Sequence, residues 1–335
     1  MTTRQKTTFA TLTLGILLGA GTTALAQDDL PRTHYGKPDL QGVWSNATLT
    51  PLTRDRDLGE TRVLSVEQVR AMEGGHQAFL EAEYADSDPD REPGAGAQGG
   101  DDGDTNDGYN EFWKEVGDRI QIINGEPRSS IIVDPPNGQI PFAGDPRARF
   151  ARAPGAPAAN DGPEGRPLSE RCLISFGTHS GPPMLPVMYN NNYQIVQTED
   201  YVMILAEMIH DARIVRIDDE PMPHMQKWMG DSVGHWDDDT LVVTTTGYHP
   251  QHTVFGASEN LTVTERFERV STSEILYSFT VEDPTVFSQP WTGELVFNAK
   301  SADEPMYEYA CHEGNYALPG VLAGARRAEA EAANQ

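Results

Sequence analysis

Lysine is scarce in this chain. Five lysines accompany twenty arginines, and 51 acidic residues outnumber the 25 basic ones, for a formal net charge of −26 at pH 7. That sign repels phosphate backbones and anionic lipid, so nucleic acid is excluded as an expected partner. A saline or aquatic habitat accounts for such a surface without any functional meaning. Cysteine is scarcer still, with Cys172 and Cys311 alone. In an oxidising compartment the two are expected to pair. The rival reading is a reactive thiol activated by His312, the residue after Cys311.

Long apolar runs are limited to one, around Leu12, Leu14, Ile16, Leu17 and Leu18. Arg4 and Lys6 precede it and Ala24-Leu25-Ala26 follows, the pattern of a cleavable signal peptide over residues 1–26. An uncleaved anchor would need roughly 20 apolar residues. The mature chain, 27–335, is therefore expected to be periplasmic or secreted, with no membrane insertion after cleavage. Several enzyme signatures are missing too. Ser180 does not sit in Gly-x-Ser-x-Gly, and Ser232, which does as Gly230-Asp231-Ser232-Val233-Gly234, opens a predicted strand and not the strand-to-helix turn of a nucleophile elbow, so a serine hydrolase is not expected. No phosphate-binding or dinucleotide glycine pattern follows a strand, so no cofactor is expected.

What remains is strand-rich. Pro38 to Trp44 leads into a strand continuing through Ala47 and Leu49 to Pro51. Ser65 with Gln68 makes a capping box for one or two short helices, interrupted at Gly74-Gly75. Residues 86–107 and 144–167 are too polar and too rich in glycine and proline to bury much, and read as loose insertions. Asp102 to Asp107 fails as a calcium loop, having Asp107 where glycine is needed and Trp113 where glutamate is needed. Pro135-Pro136-Asn137-Gly138 between apolar runs predicts a hairpin of Ser130–Val133 with Gln139–Phe142. Further strands are predicted at 192–197, 201–209, 212–217, 232–236, 240–246, 261–267, 275–281 and 294–297. Short connections make this an antiparallel meander in one mainly β domain, closing into a barrel, with a β-sandwich as the alternative. An Ala, Arg and Glu-rich tail after Pro319 is helical or frayed.

The runs Pro38-Asp39-Leu40-Gln41-Gly42-Val43-Trp44, Asn190-Asn191-Asn192-Tyr193-Gln194-Ile195, Met208-Ile209-His210-Asp211-Ala212-Arg213, Gly230-Asp231-Ser232-Val233-Gly234-His235-Trp236 and Tyr307 to Tyr316 together resemble a large family of secreted bacterial proteins. That family carries no assigned activity. Gly42-Val43-Trp44 ahead of a meander also resembles the lipocalin and calycin barrels, which implies a ligand-holding interior.

Candidate chemistry gathers in two stretches. If 201–218 is one extended run, Glu207, Asp211 and Arg213 share a face with Met203 and Leu205, and His210 takes the other. A carboxylate in such company must be paired or neutral. Arg213 either forms a structural ion pair with Glu207 or Asp211, or clamps an anionic substrate while His210 and Asp211 move protons. In the second stretch, Cys311-His312-Glu313, a disulfide would hold His312 and Glu313 rigid enough for catalysis. Tyr189, Asn192, His235 and the inward-facing Glu265 are candidate ligand contacts. His210, His235 and His312 could together hold zinc, but no close histidine spacing supports this, and no metal is expected. The leading expectation is metal-independent acid and base chemistry, a lyase, isomerase or hydrolase step, on a small organic substrate. The alternative is a non-catalytic carrier of hydrophobic compounds.

Overall fold

The computed structural model describes residues 30–83, 114–144, 157–176, 178–222, 224–251, 255–257, 259–301 and 303–334. The signal segment, the 86–107 loop and residues 145–156 of the second insertion lie outside them.

Period-two alternation gives each strand one apolar face, and a sheet with such a face must cover it. Nine strands do so by curling into a closed barrel. Around the wall they run β1 (Gly42–Ser45), β5 (Asn192–Gln197), β6 (Tyr201–Ala206), β7 (Ala212–Ile217), β8 (Asp231–Asp237), β9 (Thr240–Thr246), β10 (Thr262–Arg269), β11 (Glu274–Glu282) and β12 (Trp291–Ala299). Closure comes where Ala299 and Asn298 pair with Trp44 and Ser45. The remaining short strands are β2 (Ile122–Ile123) with β3 (Glu126–Pro127), and β4 (Ile132–Asp134), which shares the free edge of β12 with β1.

All barrel neighbours are antiparallel except β7 and β8. A ring of odd number cannot alternate direction all the way round, so nine strands need a parallel pair, and a parallel pair needs a crossover. Residues 218–230 supply it, and Asp231 pins it. The Asp231 carboxylate accepts from both prongs of Arg216 at 2.8 and 3.1 Å, from Lys227 Nζ at 2.6 Å and from the Met222 amide at 2.8 Å. Arg216 above all, with Lys227, holds that carboxyl far below the usual range.

Rings fill the interior. Trp44, Tyr193, Phe267, Tyr277, Phe279, Trp291 and Phe297 are all essentially closed to solvent. Tyr193 stacks on Phe297 at 5.3 Å, and Phe297 meets Tyr277 at 5.1 Å. Gly293 makes room for this packing, since a Cβ there would stand 2.3 Å from the Phe279 ring. At one end the Arg269 guanidinium lies 5.2 Å over the Trp44 indole, whose Nε1 donates to Leu40 O at 3.0 Å.

Local structure departs from expectation in four places. The β1 strand ends at Ser45 rather than running to Pro51, because Asn46 turns inward and is buried. A single helix, α1 (Val66–Glu83), passes through Gly74-Gly75. The predicted 130–142 hairpin forms its turn, Gly138 N donating to Pro135 O at 2.9 Å, but not its ladder. The buried Arg54 side chain bonds Ser129 Oγ at 2.8 Å and Pro136 O. It packs so close to Gly138 that a Cβ there would stand 2.7 Å from its own Cβ. The arms therefore go elsewhere, β4 to β12 and Phe142 to Phe287. Finally, the 201–218 stretch is not one strand. A 3-10 turn at Met208–His210, with φ of 62° at Ile209 and 49° at His210, breaks it and resets the alternation. Arg213 consequently pairs with Ile204 and points inward, not alongside Met203 and Leu205.

The helical C-terminus comprises α2 (Cys311–Gly314) and α3 (Ala317–Ala333), neither with a buried residue. Cys172 and Cys311 are joined in a disulfide, as the sequence suggested.

Candidate functional site

A segment without strand or helix, residues 178–185, is buried and plugs the barrel. Its Met184 reaches the interior. There the Met184 amide donates to Tyr277 Oη at 2.9 Å, and its sulfur lies 3.8 Å from Arg213 Nη2. Arg213 and Glu265 form a two-pronged ion pair, and Tyr277 Oη donates to the same carboxylate at 2.8 Å. From Met184 the network continues outward. Asn46 Nδ2 donates to Met184 O at 3.2 Å and to Tyr193 Oη at 3.3 Å, and Tyr193 Oη donates to His179 O at 2.8 Å.

That last bond fixes a tautomer. The Tyr193 hydroxyl hydrogen is spent on His179 O, so His179 Nδ1, 3.0 Å from the same hydroxyl, must be the donor there. His179 Nε2 is then a lone-pair acceptor. It is buried without a hydrogen-bonding partner among the described residues, as are Asn46 Oδ1 and Arg213 Nε. Burial pushes the His179 imidazole down to about 4, so it is neutral at pH 7.

Asp211 ties the plug to the barrel rim. Its carboxylate accepts from Ser180 Oγ at 2.5 Å and from Ser175 N at 3.1 Å, and the two serine hydroxyls lie 2.6 Å apart. Burial raises the Asp211 carboxyl above its ordinary value, and the bonds from Ser180 and Ser175 oppose that rise. On the plug's outer side opens a cleft of about 690 Å³ lined by Thr48–Leu52, Val116, Ile131, Thr178, Leu185–Met188 and Phe255. Phe255 stands edge-on to the buried Trp291 at 5.6 Å.

The sequence candidates divide sharply. The two stretches do meet, His210 Nδ1 lying 3.2 Å from Tyr309 O. They meet in water, with His210, His312 and Glu313 all exposed. The rigid, dry support expected for His312 and Glu313 is therefore lacking, because α2 lies on the surface. Glu207 is buried, but its oxygens are taken by Asn192 Nδ2 at 2.5 Å and the Tyr307 amide at 3.2 Å. Asn192 Nδ2 also serves Glu115 at 3.0 Å. Tyr189 is half-buried, edge-on to Phe176 at 6.4 Å. His235 is exposed on β8, on the outer face of the wall, and not among the interior groups a ligand contact requires. Glu265 faces inward as predicted, and it takes the place expected for Glu207 or Asp211 as the partner of Arg213. Sequence reasoning missed His179, Ser175, Asn46 and Tyr277. Gly177 to Pro183 reads in sequence as an ordinary glycine and proline-rich loop, and only the burial of residues 178–183 marks it.

Taken together these features define a closed nine-stranded barrel with one plugged end and an apolar cleft beside the plug. No protein-family model matches the chain, and no curated protein matches its sequence.

Proposed function

We propose that this chain is an exported binding protein that holds a small, mainly apolar organic molecule in the cleft beside the plug. The cleft carries the reading. Its volume of about 690 Å³ falls within the roughly 300–1,000 Å³ usual for ligand sites, and its walls are aliphatic and aromatic side chains with threonine hydroxyls interspersed. The barrel interior is occupied by its own rings, so a ligand belongs at the end and not in the lumen. Export is supported by the signal-like N-terminus and by the Cys172–Cys311 disulfide. No helix among the described residues is long and apolar enough to cross a membrane.

Acid and base chemistry on the bound molecule is the second reading. Asp211 favours it, being a half-buried carboxyl with a raised pKa and hydrogen-bonded serines. His210, His312 and Glu313 give it less support than the sequence promised, since solvent surrounds them.

Titration with the fluorescent apolar probe N-phenyl-1-naphthylamine tests the first reading. Emission should rise to saturation at one site per chain, and Leu49→Trp, which fills the cleft from its rim, should weaken binding at least tenfold. Equal binding by both proteins would remove the proposal. Asp211→Asn separates the two readings, because a carrier keeps its affinity and an enzyme loses turnover.

A further inference from the structure

The crossover that joins the parallel strands carries an unusual set of side chains. Met222, His224, Met225, Trp228 and Met229 fall within eight residues of each other. Methionine is among the residues most often buried, yet Met222 is 40% and Met225 47% exposed. Met72 and Met188 are as exposed elsewhere, so what sets this connection apart is that its two exposed thioethers stand three residues from each other.

The backbone brings them together. Met225 N donates to Met222 O at 3.2 Å, which draws the backbone of the two methionines together, and the neighbouring His224 is exposed as well. The stretch is fastened beside the strand exit that follows β9. Lys227 N donates to Gly247 O at 3.0 Å, and His249 N donates to Lys227 O at 2.9 Å. Met225 O lies so near Gly247 that a Cβ there would stand 2.9 Å from it. This places the Trp228 ring on the His249 ring, centroids 4.0 Å apart, next to the stretch. Met222 is anchored too, through its amide bond to the buried Asp231.

We infer that Met222, His224 and Met225 form a binding site for a soft monovalent cation of the Cu(I) type. Thioether sulfur is a weak ligand for hard cations and for the proton, and it selects Cu(I) and its analogues over magnesium or calcium. Two thioethers and one imidazole make a neutral, mixed soft and borderline donor set. The strongly negative chain around it draws any cation inward. No thiolate competes, because the chain has only two cysteines and they are joined to each other. The site lies apart from the cleft of the proposed carrier function and does not depend on it.

Silver(I) is the redox-inert probe of choice, added to the intact, disulfide-bonded protein and followed by calorimetry and tryptophan emission. One Ag⁺ should bind per chain with partial quenching from Trp228. Met222→Leu with Met225→Leu, volume-conserving changes at exposed positions, should leave the melting temperature unchanged and weaken binding at least thirtyfold. His224→Ala should weaken it about tenfold. Magnesium in large excess should not displace the silver. Failure of the wild-type chain to bind Ag⁺, or equal affinity in the double methionine variant, overturns the assignment.

Discussion

Arg213 and Glu265 face each other across the inside of the barrel, Nη2 2.9 Å from Oε1, and neither side chain is more than 3% exposed. A pair so placed is held by mutual dependence. Each charge is tolerable only because the other is present, while the pair as a whole adds little that well-packed apolar groups would not.

Removing one partner should therefore be far worse than removing both. Glu265→Ala is expected to lower unfolding stability by about 3–5 kcal/mol, since a buried guanidinium is left unpaired. Arg213→Met combined with Glu265→Leu should recover most of that loss. Urea unfolding at pH 7 measures both. A double variant as unstable as the single one would show that the pair matters for its shape and not its charge.

Acid should weaken the fold in a window set by His179. Its folded pKa, about 4, lies below the ordinary imidazole value of 6.5. Above pH 6.5 both folded and unfolded chains carry it neutral. As pH falls from 6.5 toward 4 the unfolded chain takes up the proton first, so stability declines, by about 3 kcal/mol over the whole window. His179→Gln should flatten this part of the pH profile. Asp231 acts elsewhere, because its carboxyl is depressed and its contribution is lost only as pH drops below the usual carboxylate range. An unchanged profile in the glutamine variant would mean that His179 titrates in contact with water.

The crossover should prove as fragile as the ion pair. Asp231→Ala takes from Arg216 its buried two-pronged acceptor, leaving it only Asp219 and Glu220 O, takes from Lys227 its carboxylate, and is expected to cost about 3 kcal/mol. Asp237→Ala, which breaks only the exposed pair with Arg266, should cost less than about 1 kcal/mol. Thermal melts of the two variants side by side test the contrast, and equal losses would refute it.

Reduction of the disulfide should act locally. A bridge spanning 139 residues has an entropic ceiling of about 5 kcal/mol. The helices beyond Cys311 bury no residue, so the reduced chain can release its C-terminus while the barrel stands. Trypsin should then cut after Arg326 or Arg327 several times faster in dithiothreitol, with a much smaller change in the barrel's melting temperature. Unaltered cleavage would mean that other contacts, such as Asn315 Nδ2 to Glu170 O at 2.7 Å, hold the segment alone.

The barrel wall was legible because alternation is a local property of sequence. Strands β8 and β9, joined by Asp238-Asp239, and the inward Glu265 follow from period two alone. The Ser65 and Gln68 capping box likewise forms with reciprocal bonds at 2.8 and 3.2 Å. The site was less legible, for two physical reasons. Ile209 and His210 adopt a left-handed backbone that their residue types do not advertise, and that turn decides which way Arg213 points. The plug has no period at all, and its burial depends on Asp211, Tyr193 and Tyr277 reaching it from distant strands. Assigning catalysis to His312 and Glu313 rested on the disulfide beside them, and a disulfide constrains a backbone without drying it.

The seam between Trp44 and Ala299 marries the earliest wall strand to the latest. Without that seam the wall would be an open sheet with two unpaired margins, the form in which strands recruit strangers. Closure must wait until β12 has been made, because no earlier strand can take its place beside β1. Any truncation that reaches β12 leaves the cylinder permanently unzipped.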